Sequence, residues 1–150
     1  MPGPDEILEI LKRGNDRFAR GDSEFPRCDA ERRYRTTEQG QKPFVAILTC
    51  ADSRTPPEYI FDQGVGDIFV VRNAGNVCDK TTLGSLELGV EECGARFIIV
   101  LGHRNCGAVK LAVQGGVVPE NVRSLIDKIA TAVKSVRERS ADLNEYDLTQ

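Results

Sequence analysis

FVAILTCADSR, residues 44–54, joins a short apolar run to a group of chemically reactive side chains. Phe44 to Leu48 contains five apolar residues in succession, and residues 68–71 and 97–101 form two further runs that are rich in Val, Ile and Phe. Runs of this length and composition are typical of strands that are buried on both faces of a parallel sheet. We therefore predict three parallel strands.

Helical patterns lie before, between and after these runs. An amphipathic pattern predicts a helix over Pro4–Arg20, with Gly14 as a weak point in its middle and Gly21 at its end. Further helices are expected to begin at residues 56–58 and to cover residues 82–93, 108–113 and 121–139. Because strands and helices alternate, we predict an α/β fold with a parallel β-sheet core flanked by helices.

The length and composition of the chain suit one domain. Its 150 residues, of which 40% are hydrophobic, are enough for one packed core. We expect a single domain over residues 1–150, in which residues 1–42 form an N-terminal helix and a long irregular arm, and residues 43–150 form the α/β core. A sheet of three strands has two edges that need cover, so either a partner subunit covers an edge or the chain is a shortened form of a longer protein.

Charge and hydropathy exclude some classes of partner. The net charge is −3 and the basic residues are scattered, which argues against nucleic-acid binding. No apolar stretch follows a basic start, and no segment approaches the ~20 apolar residues of a membrane span. We expect a soluble cytoplasmic protein without a membrane partner. Its five cysteines are then thiols, metal ligands or buried apolar residues rather than disulfides.

Two cysteines and the single histidine follow predicted strands. Cys50 follows the first strand, and His103 and Cys106 follow the third. Ligands of parallel α/β sheets bind outside the carboxyl ends of the strands. Two thiolates and one imidazole suit Zn²⁺, and three protein ligands leave a fourth position open, as in catalytic sites. A water molecule there can reach a pKa of about 7 and, as hydroxide, attack a small electrophilic carbon. The alternative is two buried thiols and a core histidine.

Asp52 and Arg54 lie two residues apart directly after Cys50, so their side chains can share one side of the chain. A bidentate ion pair would hold the Asp52 carboxylate where it can orient the attacking hydroxide. Without its partner, Asp52 could move onto the zinc, fill the open position and inactivate the site. The alternative is an ordinary exposed ion pair, which contributes little.

At these residues the sequence resembles the β-class carbonic anhydrases. The resemblance is carried by CADSR (50–54), FVVRNAGN (69–76) and GHRNCG (102–107), in this order along the chain. It implies zinc-dependent reversible hydration of carbon dioxide to bicarbonate and a proton, with zinc on Cys50, His103 and Cys106 and with Asp52 and Arg54 as the gating pair. It also implies a homodimer or higher homo-oligomer, in which the N-terminal helix lies across the partner.

The resemblance further implies contacts with the small-molecule substrate. Gln41 falls where the plant-like branch of the family has a substrate-orienting glutamine, although a surface glutamine is an equal alternative. Phe69 matches an apolar pocket position, and Gly107 is assigned with it to the substrate site. The chain has no tryptophan, which favours the plant-like branch over the bicarbonate-regulated one.

Two departures from the family pattern stand out. Leu88 takes the place of a tyrosine that plant-like members often have, which predicts a more apolar pocket. Family members usually continue with a further helix and one or two strands, so we expect the chain to lack the usual C-terminal strands. Two other functions stay open: a carbonyl sulfide or carbon disulfide hydrolase on the same scaffold, and a non-catalytic zinc-binding dimerisation module.

Overall fold

A computed structural model describes residues 2–140 of the chain. The last ten residues, where we expect the chain to end without further strands, lie outside the described part. In chain order the elements are α1 (Pro4–Arg20), α2 (Ala30–Gln39), β1 (Val45–Cys50), α3 (Pro57–Ile60), β2 (Ile68–Asn73), a 3₁₀ turn (Ala74–Asn76), α4 (Lys80–Glu91), β3 (Ile98–Leu101), α5 (Gly107–Gln114) and α6 (Glu120–Arg139). Among residues 2–140, no helix is both long and apolar enough to cross a membrane.

The three strands form one parallel sheet in the order β2-β1-β3. The central strand β1 is buried along its whole length, as expected for a strand covered on both faces. Cys50 at the end of β1 is in register with Asn73 of β2, and Thr49 is in register with Leu101 of β3. The carboxyl ends of all three strands therefore lie at the same edge of the sheet.

Helices cover both faces of the sheet, which confirms the predicted α/β architecture. Alternate side chains of β1 point to opposite faces. Val45 and Ile47 pack with α1 on one face, and Ala46 and Leu48 pack on the other face with Leu86 of α4. A third apolar cluster joins α5 and α6 beside the carboxyl edge; its members are Val77, Val113, Ile129 and Val133.

The expectation of an irregular arm over residues 22–42 was wrong for its second half, which forms α2. The Asp29 side chain begins this helix by accepting a hydrogen bond from the backbone N–H of Arg32 at 2.6 Å. No residue of α2 is buried. Arg32 docks the helix through polar contacts, donating to the carbonyl of Val65 at 2.7 Å and pairing with Asp67. Since α2 has no buried apolar face, hydrophobic periodicity could not reveal it.

The buried carboxylate of Asp62 ties the N-terminal segment to the core. Its oxygens accept hydrogen bonds from Arg17 Nε at 2.6 Å and from the backbone N–H groups of Glu24 and Phe25 at 3.0 and 2.8 Å. Burial favours the neutral carboxyl, but these three donors outweigh it and hold the pKa of Asp62 below its usual range. The ionised carboxylate therefore stabilises the end of α1 and the start of the arm.

Replacing this carboxylate should produce a pH-dependent loss of stability. A group whose pKa is depressed on folding stabilises the protein above its unfolded pKa, about 4 for Asp, and this contribution is lost as the pH falls through the folded pKa. We expect Asp62→Asn to lower the free energy of unfolding at pH 7, and its difference from the parent to shrink below about pH 4. Urea denaturation of the parent and the variant, at pH 7 and below about pH 4, measures this difference in the free energy of unfolding. The exposed Asp16→Asn is the control, and a difference independent of pH would contradict the assignment.

Gly14, which propensity alone marks as a weak point in α1, allows close packing. A Cβ atom at this position would lie 1.8 Å from the carbonyl oxygen of Phe61. We expect Gly14→Ala to lower the free energy of unfolding by about 1–3 kcal/mol, although alanine is the better helix former. Gly84→Ala in α4 is the matched control: nothing lies within 4 Å of its Cβ position, so it should stabilise the chain by up to ~1 kcal/mol. Equal gains at both positions in urea denaturation would contradict the close packing.

Candidate metal centre

Cys50, His103 and Cys106 meet at the carboxyl edge of the sheet. Cys50 is the last residue of β1, His103 follows the end of β3, and Cys106 immediately precedes α5. Because β1 and β3 are neighbours, both loops leave the sheet side by side. The two Sγ atoms are 3.9 Å apart, and the possible ligand atoms of the three residues lie within 4.8 Å of one another. The structure therefore brings the three predicted metal ligands together.

The His103 ring is oriented with Nε2 toward this cluster. Its Nδ1 lies 2.9 Å from the carbonyl oxygen of Arg104, which can only accept a hydrogen bond, so Nδ1 carries the proton. The contact of Arg54 Nη2 with Nδ1 at 3.3 Å is then between two donors and is not a hydrogen bond. In this tautomer Nε2 has a free lone pair, and among residues 2–140 this buried atom has no hydrogen-bond partner. A backbone carbonyl on Nδ1 is the usual support for a histidine that binds metal through Nε2.

The two thiols differ in their tendency to ionise. Burial opposes ionisation of Cys50, but hydrogen bonds from the backbone N–H groups of Asp52 and Gly75 outweigh it and lower the pKa of its thiol to about 7. Burial raises the pKa of the Cys106 thiol, and the nearby Cys50 adds to this effect. The site thus favours one thiolate and disfavours the second. A dication would remove this conflict, since it stabilises both thiolates.

These donors fit zinc. A tetrahedral ion with Zn–S distances of about 2.3 Å places two sulfurs roughly 3.8 Å apart, close to the observed 3.9 Å. The cluster offers two sulfurs and one unpartnered imidazole nitrogen, which is a three-ligand set of the kind found in catalytic zinc sites. The observation that decides the fit is the orphaned Nε2 atom, because a buried polar atom without a partner is costly unless a ligand satisfies it.

Asp52 and Arg54 form a bidentate ion pair beside the cluster. Arg54 Nε lies 2.8 Å from Oδ1 of Asp52 and Arg54 Nη2 lies 2.9 Å from Oδ2, while the backbone N–H of Arg54 also donates to Oδ1. The Arg54 guanidinium holds the pKa of the Asp52 carboxyl well below its usual range. Oδ2 is 3.9 Å from His103 Nε2, so an ionised carboxylate lies next to the position that a metal would take.

A cavity of about 470 Å³ reaches the cluster from the side of α6. His103 and Cys106 form part of its wall, and Lys128 and Cys78 also line it; the remaining lining residues are Gly75, Asn76, Val77, Gly102, Val109, Ile129 and Ala132. Its lining is largely apolar, which suits a small uncharged molecule.

The structure places the three substrate residues that the resemblance implies in two separate regions. Gly107 is the first residue of α5, directly after Cys106. Gln41 and Phe69 line a separate cavity of about 380 Å³ that none of the three candidate ligands lines. Leu88 is 53% exposed on α4. In the part of the chain that the structure describes, the cavity lined by Gln41 and Phe69 is therefore distinct from the cavity lined by His103 and Cys106.

Sequence reasoning assigned no function to Arg72, although it lies within the FVVRNAGN motif. The Arg72 guanidinium contacts the backbone of both Cys50 and Asp52. The available signal was its position directly after the apolar run of residues 68–71, at the carboxyl end of a predicted strand. The order of the strands in the sheet was needed to interpret that signal.

Comparisons with known proteins agree with this fold and site. The family model described as carbonic anhydrase matches residues 45–150. Carbonic anhydrase 2 of Mycobacterium tuberculosis is 44% identical over an alignment of 139 positions, which covers 89% of this chain and 67% of that protein. The carbonic anhydrase of Mycolicibacterium smegmatis is 42% identical over an alignment of 153 positions, which covers 98% of this chain and 73% of that protein. The solved β-carbonic anhydrase CcaA has a TM-score of 0.68 at 27% identity, covering 95% of this chain and 72% of that one.

The chain is an α/β protein whose parallel sheet carries two thiols and an imidazole, a candidate metal site, at its carboxyl edge, and the sequence and structure comparisons converge on one family. The chain belongs to the carbonic anhydrase family, in its β class.

Proposed function

We propose that this chain catalyses the reversible hydration of carbon dioxide to bicarbonate and a proton, with zinc as its cofactor. The orphaned Nε2 of His103, facing the two sulfurs of Cys50 and Cys106, is the observation that carries the proposal. Membership of the carbonic anhydrase family supports the choice of reaction.

Each residue of the site has a distinct part in this proposal. Cys50, His103 and Cys106 would hold the zinc, which would supply the Lewis acidity that makes water nucleophilic near neutral pH. Asp52 stays ionised and accepts a hydrogen bond from the attacking water, which orients a lone pair toward carbon dioxide. Arg54 keeps the carboxylate in this position through two side-chain hydrogen bonds and so prevents it from reaching the metal.

The reaction releases a proton that must leave the site. His103 is the only histidine of the chain, and in this proposal it binds the metal. A second imidazole is therefore absent, and Asp or Glu side chains or buffer must accept the proton.

We also propose a cytoplasmic homo-oligomer, with residues 1–150 as one domain and residues 43–150 as its zinc-binding core. In the sheet formed by residues 2–140, β3 is an outer strand, and its Ile98 and Val100 side chains are 46% and 63% exposed. A second copy would remove such apolar surface from water. Gln41 and Phe69 share a cavity away from the cluster of their own chain. If they contact substrate, they do so from the neighbouring copy. All five cysteines are free thiols, which suits the reducing cytoplasm.

Stopped-flow measurement of carbon dioxide hydration tests the proposal. The zinc-loaded chain should accelerate hydration, the chelator-treated chain should be inactive, and added zinc should restore the rate. Carbonyl sulfide and carbon disulfide are assayed on the same preparation. Faster turnover of either sulfur compound would assign the site to that hydrolase reaction instead. Stoichiometric zinc without hydration at neutral or alkaline pH would identify a non-catalytic zinc-binding module.

A further inference from the structure

Arg72 bridges two backbone carbonyls of the loop that carries the metal site. Its Nε donates to the carbonyl oxygen of Cys50 at 2.9 Å, and its Nη2 donates to the carbonyl oxygen of Asp52 at 2.6 Å. Arg72 reaches them from β2, where it is in register with Thr49 of β1. One guanidinium thus contacts both the residue proposed to bind metal and the residue proposed to orient the attacking water.

The loop needs such support because it leaves the sheet at this point. The ladder between β1 and β2 ends with the hydrogen bond from the backbone N–H of Ala51 to the carbonyl of Asn73 at 2.9 Å. Beyond it, Thr55 makes longer contacts: its backbone N–H donates to the carbonyl of Asp52 at 3.1 Å, and its hydroxyl donates to the carbonyls of Cys50 and Asp52 at 3.3 and 3.2 Å. The bonds from Arg72 are shorter, and hydrogen bonds from a charged donor are about twice as strong as neutral ones.

The neighbouring Asn73 supports Cys50 through the turn that follows β2. Its side-chain oxygen accepts from the backbone N–H of Val77 at 2.6 Å, and its amide nitrogen donates to the carbonyl of Val77 at 2.7 Å. These bonds close the turn over Ala74–Asn76, whose Gly75 N–H lies 3.4 Å from Sγ of Cys50. Two consecutive residues at the end of β2 therefore constrain the backbone and the sulfur of Cys50.

We infer that Arg72 is a positioning residue that fixes the distance and orientation between the Cys50 sulfur and the Asp52 carboxylate. It is not one of the candidate metal ligands, and it acts through the backbone of the loop. Its fork geometry is required, because one donor must reach each of two carbonyls. The inference rests on the proposed function, since it takes Cys50 as a metal ligand.

The test compares Arg72→Met and Arg72→Lys with the parent chain, each loaded with cobalt(II) as a spectroscopic substitute for zinc. Competition with a chelator gives the metal affinity, and the thiolate-to-cobalt charge-transfer band reports the geometry at Cys50. Changes in the supporting hydrogen bonds of a metal site typically cost about 10–100-fold in affinity. We expect a loss in this range for Arg72→Met together with an altered charge-transfer band. Arg72→Lys, which keeps the charge but loses the fork, should lose less.

Arg96→Met is the control, because Arg96 is an exposed arginine that precedes β3 and should leave affinity and spectrum unchanged. Parent-like affinity and spectrum in both Arg72 variants, or an equal loss in Arg96→Met, would overturn the inference. If circular dichroism shows that Arg72→Met does not fold, Arg72→Lys decides: a loss of several-fold supports the inference and parent-like binding overturns it. A parent chain that binds no metal would instead contradict the proposed function.

Discussion

Replacing Cys106 with serine should release the metal and abolish carbon dioxide hydration. Cys106 supplies one of the two sulfurs that lie 3.9 Å apart beside His103 Nε2, and a serine hydroxyl is a poor substitute for a thiolate ligand of zinc. Mutation of residues that only support metal ligands can lower metal affinity by about 100-fold. Loss of a ligand itself should lower the affinity further. Elemental analysis after dialysis and stopped-flow hydration on the same sample measure both effects.

Cys28→Ser is the matched control for this prediction. The substitution is the same, but Cys28 is exposed and lies outside the cluster. This variant should therefore keep its zinc and its hydration rate. Full zinc occupancy in Cys106→Ser would reject Cys106 as a ligand. Equal loss of zinc in both variants would show that the effect is not specific to the site.

Replacing Arg54 with alanine should separate metal binding from catalysis. The change removes both side-chain hydrogen bonds to the Asp52 carboxylate and leaves the three candidate ligands in place. Asp52, whose Oδ2 is 3.9 Å from His103 Nε2, is then free to approach the metal and block the open position. We expect zinc to stay bound while hydration falls by about 100-fold, the size of effect that a misplaced catalytic group can have.

The control for Arg54→Ala is Arg96→Ala, which removes an exposed guanidinium far along the chain from the pair. Its zinc content and hydration rate should equal those of the parent. Parent-like hydration in Arg54→Ala would remove the proposed role of the ion pair. Loss of zinc from Arg54→Ala would mean that Arg54 supports the ligands rather than the carboxylate.

The sheet and the cluster of candidate metal ligands were predictable because their signals are local. Each strand is a continuous apolar run, and the helix over Pro4–Arg20 has the predicted bounds because a regular apolar face and a terminal glycine define it. Cys50 and the His103–Cys106 pair directly follow such runs. Placing them together needed only that β1 and β3 be neighbours, which the strand order confirms.

Features that depend on polar contacts or on the packing of distant segments were not predictable. The helix α2 is held by Asp29 and Arg32 rather than by a buried face. Gly14 was interpreted through helix propensity, whereas its close contact with the Phe61 carbonyl depends on how α1 packs against the segment after α3. Arg72 acts across the sheet on a loop 20 residues earlier in the chain. A single sequence shows none of these three sets of contacts.

The resemblance to the plant-like branch and the substrate role of Gln41 stay predictions. Gln41 lines a cavity with Phe69 that none of the candidate ligands lines, so a role at the reaction centre requires a second copy of the chain. Leu88 is largely exposed on α4, and whether it meets a substrate pocket depends on the same assembly. The metal chemistry proposed here is independent of both residues.

X-ray absorption spectroscopy at the zinc edge, on the zinc-loaded parent chain, tests the central claim most directly. We predict one zinc per chain with two sulfur neighbours at about 2.3 Å and at least one nitrogen neighbour at about 2.0 Å. A chain that retains no zinc, or a zinc ion surrounded only by nitrogen and oxygen, would contradict the assignment of Cys50, His103 and Cys106 as its ligands.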